Sequence, residues 1–168
     1  MQLERLKRFL NHLLLPDWWF LRAFPEAALR GIEQAIVASE RAHHGELRFV
    51  VEAGLPVAAL LRQQTTRDRA LELFSLLRIW DTEDNSGVLI YVQLLDQRVE
   101  IVADRGIDAK VGDAFWSAVC RRMETEFAQR RFASGSVSAI DAITVALAEH
   151  FPARGDNPDE LANAPLLR

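Results

Sequence analysis

Cysteine occurs once, as Cys120, so the chain cannot close a disulfide within itself and nothing in its thiol content points to an oxidising compartment. Cys120 also lacks the company of a catalytic thiol. A cysteine phosphatase needs an arginine six positions on, and Glu126 stands there. The thiol reads as a small, half-buried helical residue. Long apolar runs are absent too. Leu13, Leu14 and Leu15 are cut off by Pro16 and Asp17, too short to cross a bilayer, and no small-residue cleavage pattern follows. The expected location is therefore cytoplasmic. No long basic run and no basic–aromatic alternation occurs, and the net charge is −4, which disfavours nucleic acid as a partner. Also missing are a glycine-rich phosphate loop with lysine and a G-x-S-x-G nucleophile turn. The four histidines, His12, His43, His44 and His150, are scattered over expected helix ends.

What is present is enough for a core. Of 168 residues, 49% are apolar and 26% charged, the balance of one globular domain. Leu3, Leu6, Phe9, Leu10 and Leu13 recur at helical spacing, followed by Trp18, Trp19 and Phe20. This segment, residues 1–24, is a helical extension with two uses: docking on the domain through its tryptophans, or lying on a membrane surface as a peripheral contact. After Pro25, Leu29, Ile32 and Ile36 mark a helix running to His43 and His44, with Gly45 as its stop. "GELRFVVEA" reads as a strand with Arg48 and Glu52 facing away from Leu47, Phe49 and Val51. A variable piece, 56–66, precedes a helix over 68–79 whose inner face is Leu71, Phe74, Leu77 and Ile79.

"GVLIYVQLL" is continuously apolar, as a strand covered on both sides must be. "RVEIVAD" alternates and lies close enough to complete a hairpin. Two helices, 113–129 and 137–150, follow, punctuated by "ASGS". The helix between the first two strands makes them parallel, and the third runs against the second. The fold class is α/β: a three-layer α/β/α sandwich with a small mixed sheet and helices on both faces, spanning 25–152. Residues 153–168 form a flexible tail apart from a short docked turn.

This topology brings two acidic segments to one sheet edge. "WDTEDNS" enters the second strand with Asp81, Glu83, Asp84 and Asn85, and "ADRGIDAKVGDA" leaves the third with Asp104, Asp108 and Asp113. Clustered carboxylates repel unless a cation sits among them, and an all-oxygen donor set suits Ca2+ better than zinc or iron. It is not an EF-hand, because counting from Asp81 puts Ser86 at the obligatory glycine and Val92 at the closing glutamate. The plainer alternative is turn and capping chemistry, with Asp113 as a helix N-cap.

At these same residues the chain resembles the TPM domain family, which includes a thylakoid-lumen protein and many bacterial proteins. "LRIWDTEDNSGVLIYV" matches the family's helix end, polar loop and strand. "DRGIDAKVGDA" matches its Gly-x-Gly-Leu-Glu-Gly…Asp-Ala segment, with Gly106 on the second glycine, Asp108 on the glutamate and Asp113–Ala114 on the Asp-Ala pair. "FAQRRFASGSVSAIDAI" resembles its late helix junction through Phe127, Phe132 and Gly135. The chain departs from the pattern where Ser86 replaces asparagine, Asp104 and Ala109 replace glycines, and Asp108 shortens a glutamate.

The resemblance implies an α/β/α sandwich and, in some members, calcium held by acidic loops at one sheet edge; a phosphatase activity has been proposed for the family. With no leader or anchor, the chain looks like a cytoplasmic bacterial branch. The function expected is therefore binding of Ca2+ or another hard divalent cation, exercised through an unknown protein partner. The alternatives are a metal-assisted phosphatase and a metal-independent module for protein or membrane surfaces.

Overall fold

Pro25, extended at φ −65° and ψ 159°, sets the start of helix α1, Glu26–Ser39, whose Ala28, Ile32, Ile36 and Ser39 are buried. The computed structural model describes residues 8–10, 12, 21–153 and 160–168. After α1 come strand β1 (Leu47–Glu52), a short helix α2 (Val57–Leu61) and helix α3 (Thr66–Leu76). Thr65 starts α3 through a capping box, its Oγ1 accepting from Asp68 N while Asp68 Oδ2 accepts from Thr65 N, each at 3.0 Å. Strands β2 (Val88–Gln93) and β3 (Arg98–Ala103), helices α4 (Arg105–Val111), α5 (Asp113–Ala128) and α6 (Phe132–His150), and strand β4 (Leu166–Leu167) complete the order.

The sheet runs β3-β2-β1-β4. β1 is parallel to β2, with Phe49 opposite Ile90, and parallel to β4; β2 and β3 form the antiparallel hairpin the sequence announces. Residues alternate across it into two cores. Phe49, Val51, Ile90 and Ile101 face α1, α5 and α6 residues such as Ile32, Met123 and Ile140. Val50, Leu89, Tyr91 and Val102 face Ala70 and Leu73 of α3. The mixed α/β architecture of the sequence reading is the one observed.

Glu52 faces away from Leu47, Phe49 and Val51 as expected, and α3 covers that face and encloses it against Arg69. Four local readings need correction. The α3 stripe is Ala70, Leu73, Phe74 and Leu77, while Leu71 is exposed; small Ala70 marks the inner face as surely as a leucine. Residues 105–111, where the sequence pattern predicts no helix, form α4, capped by Asp104 Oδ1 accepting from Arg105 N at 2.7 Å. "ASGS" lies inside the first turns of α6 rather than before it. A Cβ on Gly135 would sit 2.7 Å from Glu126 Cβ, so this glycine lets α6 approach α5 closely. Finally, Leu166 and Leu167 supply a fourth strand, with Arg168 N donating to Val51 O at 3.0 Å.

Helix α6 is long and apolar enough by composition to cross a membrane, yet its Ala139, Ile140, Ile143 and Leu147 are core residues. Arg8 and His12 both bond Asp96 in the β2–β3 turn, Arg8 Nη2 at 2.6 Å and His12 Nε2 at 3.1 Å, and Leu55 N donates to His12 Nδ1 at 2.9 Å. The described part of the N-terminal extension is thereby tied to the domain.

Candidate functional site: the acidic sheet edge

Sheet direction does bring the two segments together. Asp104 N donates to Gly87 O at 2.8 Å, extending the β2–β3 ladder past Val88 and Ala103. Gly106 N donates to Asn85 O at 3.0 Å, and Arg105 Nε to Asn85 Oδ1 at 3.0 Å. The fit is tight at Gly106, where a Cβ would meet Asp84 O at 2.5 Å and Asn85 O at 2.6 Å. Only glycine admits that approach.

The loop itself is a polar turn with internal bonds. Ser86 N donates to Thr82 Oγ1 at 3.0 Å, and Asn85 holds the left-handed conformation at φ 53°, which asparagine tolerates better than most residues. Its carboxylates spread outward. Asp81 pairs with Arg78 Nη2 at 2.8 Å, and Glu83 is exposed. Asp84 Oδ2 lies 2.7 Å from His44 Nε2. His44 stands in the connection between α1 and β1, so inspection of the two loops alone could not find it.

On the second segment, Asp108 Oδ1 accepts from Trp116 Nε1 at 2.9 Å. Asp113 is exposed in the first turn of α5, and the cap position ahead of it belongs to Gly112 at φ 79°. Asp108 and Asp113 both line a cavity of about 640 Å³ along the outer edge of β3, with Arg67, Glu100 and Cys120; no residue of 81–86 lines it. Cys120 there has its thiol pushed up to about 11, chiefly by burial, which keeps it protonated at neutral pH.

Asp104 is different. It is 9% exposed, one oxygen caps α4, and the other, Oδ2, is buried with no hydrogen-bond partner among the described residues; Ser86 Oγ is likewise buried and without one. Oxygen donors of this kind suit a hard cation such as Ca2+. The full set does not assemble into a cage: among the described residues no group of three or more His, Cys, Asp or Glu side chains stands in metal-holding geometry. The fit is thus confined to the surroundings of Asp104.

Trp80 is the residue the sequence reading passed over. It opens the same loop, is 48% exposed, and carries the Arg78 guanidinium 6.0 Å from its ring centroid. A tryptophan opening a polar loop directly ahead of a continuously apolar strand is the sequence signal that points to it. Trp18, Trp19 and Phe20, the aromatic surface expected for a membrane or partner, lie outside the described residues.

A family model described as the TPM domain matches residues 22–146. Among solved structures, the chain is similar to the BA42 protein of the psychrophilic bacterium Bizionia argentinensis, determined by NMR: 32% identity, a TM-score of 0.74, 84% of this chain and 93% of that chain covered. No curated protein matches.

Proposed function

The chain belongs to the TPM domain family, and from that premise we propose that it is a binding module whose acidic sheet edge docks a basic segment of a partner protein. One observation carries this reading: Trp80, half exposed, shares a short loop with exposed Asp81 and Glu83, while Asp84, Asn85 and Asp108 of that edge are held by His44, Arg105 and Trp116. Tryptophan surrounded by charge is the composition of an interface anchor, since a ring buried on docking supplies affinity and the rim charges select the partner. Asp108, tied to Trp116, and the protonated Cys120 give a phosphatase reading no support of their own.

A photocrosslinking side chain placed at position 80 in intact cells tests the proposal, with one at exposed Val145 as control. A discrete adduct from position 80 alone, lost in a Glu83→Lys background, supports it. Adducts common to both positions, or none, would remove it.

A second reading has its own observation. Asp104 Oδ2, without a partner among the described residues, favours a hard cation such as Ca2+ at the inner side of the same edge. Asp104 would hold it, and the cation would neutralise the buried carboxylate beneath the docking loop. This is compatible with docking and needs no catalytic step.

A further inference from the structure

The opposite end of the sheet carries a cavity of about 790 Å³, within the range of small-ligand sites. Arg22, Arg98 and Arg130 line it against a single carboxylate, Glu124, an excess of two positive charges on a chain whose net charge is −4. Glu124 is already committed, its Oε1 standing 3.7 Å from Arg98 Nη1 and accepting from Val99 N at 3.2 Å. Among the described residues neither Arg22 nor Arg130 has a carboxylate within ion-pair distance. The wall is apolar: Val92 and Leu94 from the sheet, and Phe127 and Phe132, whose rings stand 5.1 Å apart and are only half buried. Phe24, fully buried, backs both rings at 6.0 and 5.5 Å and holds them in place.

We propose that this cavity binds a free amphipathic carboxylate, its head on the Arg22 and Arg130 guanidiniums and its apolar tail against Phe127 and Phe132. Guanidinium forks match the planar geometry of a carboxylate, and two of them with no ion-pair partner among the described residues, beside aromatic walls, give such a molecule both contacts at once. The cavity is concave, partly open and of a size for one small molecule, whereas a bilayer needs a protruding apolar face. The site is separate from the docking loop, so its failure leaves the proposed function untouched.

Titration of the full chain with decanoate, followed by calorimetry and by amide NMR, tests this. Saturable one-to-one binding with a dissociation constant below about 1 mM is expected, with shifts centred on Phe127, Arg130 and Phe132. Arg22→Gln and Arg130→Gln are each expected to weaken it about tenfold without moving the thermal midpoint, while Arg78→Gln, elsewhere on the surface, leaves it intact. Equal binding of decylammonium or of acetate, binding insensitive to both arginine changes, or partition into phosphatidylglycerol vesicles without decanoate binding would each overturn the proposal.

Discussion

Arg69 and Glu52 face each other through two parallel hydrogen bonds inside the protein, Nε to Oε2 at 3.0 Å and Nη2 to Oε1 at 2.6 Å. Tyr91 donates to the same Glu52 Oε2 at 2.7 Å, and Arg69 Nη1 reaches Glu72 at 2.9 Å. The network joins α3 to β1 and β2 beneath a covered sheet face. Removing one partner leaves a buried charge alone, so Arg69→Met is expected to cost about 3–5 kcal/mol. Replacing Glu52, Arg69 and Tyr91 together by Leu, Met and Phe removes every unpaired group and should recover most of that loss. Urea unfolding of the two variants makes the comparison.

Tyr91 is the sole tyrosine, which makes its titration separately visible. Burial first, and then the Glu52 charge, holds its hydroxyl protonated far above the ordinary phenol range. The folded pKa lies above the unfolded one, so the stabilising contribution is complete below about pH 10 and declines above it as the unfolded chain releases a proton the native state keeps. Tyrosinate absorbance is therefore expected to rise only together with alkaline unfolding. A rise while the fold persists would show the hydroxyl to be accessible.

His43 gives the acid-side counterpart. It is fully buried, its Nε2 stands 2.7 Å from Ser39 Oγ, and burial pushes its pKa down to about 4, with the neighbouring His44 adding to the fall. The unfolded chain binds the proton more tightly, so this contribution is present above about pH 6.5 and lost as pH falls toward 4, up to about 3 kcal/mol. His43→Gln should be less stable at neutral pH and lose much of the slope across that window. Denaturation midpoints from pH 4 to 7 read both effects. Asp96 titrates lower: burial opposes its ionised form, but bonds from His12 and Arg8 outweigh it and hold the carboxyl below its usual range.

The fold was legible where apolar period and turn chemistry agree. "GVLIYVQLL" has no polar position to expose, and β2 is buried along its whole length. The hairpin to β3 followed from proximity alone. The acidic edge was half legible: strand direction placed 81–85 beside 104–106 correctly, but not the partners that meet them. His44, Arg78 and Trp116 come from outside the polar runs, and no spacing rule links His44 to Asp84 across forty residues. β4 was illegible for another reason. Two leucines in a polar tail become a strand only because the β1 edge offers its backbone groups.

Gly106 turns the meeting of the two segments into a steric test. With two carbonyl oxygens within 2.6 Å of the site of a Cβ, Gly106→Ala must push the loop away from α4. Backbone cannot yield as a side-chain tip does, so a loss of about 2 kcal/mol or more is expected. Gly112→Ala tests conformation rather than contact: open space surrounds its Cβ, but φ 79° with ψ 160° is a region only glycine enters freely, so it costs about 1–3 kcal/mol. Chemical denaturation ranks them. A Gly106→Ala loss below about 1 kcal/mol would mean that the loop relaxes freely and the contact at Gly106 is not tight in solution.

Asp104 decides the cation question. Its Oδ2 is buried without a partner among the described residues, while Asp81, Asp84 and Asp108 are engaged by Arg78, His44 and Trp116. A cation drawn to so few free carboxylate oxygens binds weakly, so Ca2+ is expected to act in the range of about 0.1–1 mM, as in the weakest protein calcium sites. Amide NMR should show saturable shifts at 84–86 and 104–106, with little change at Asp113. Asp104→Asn removes the charge and keeps a capping oxygen for Arg105 N, so the helix start survives while the response to Ca2+ disappears. A calcium response that persists in Asp104→Asn, or is absent from the parent chain at millimolar concentration, would return this edge to a clasp between loop and helix with docking as its only use.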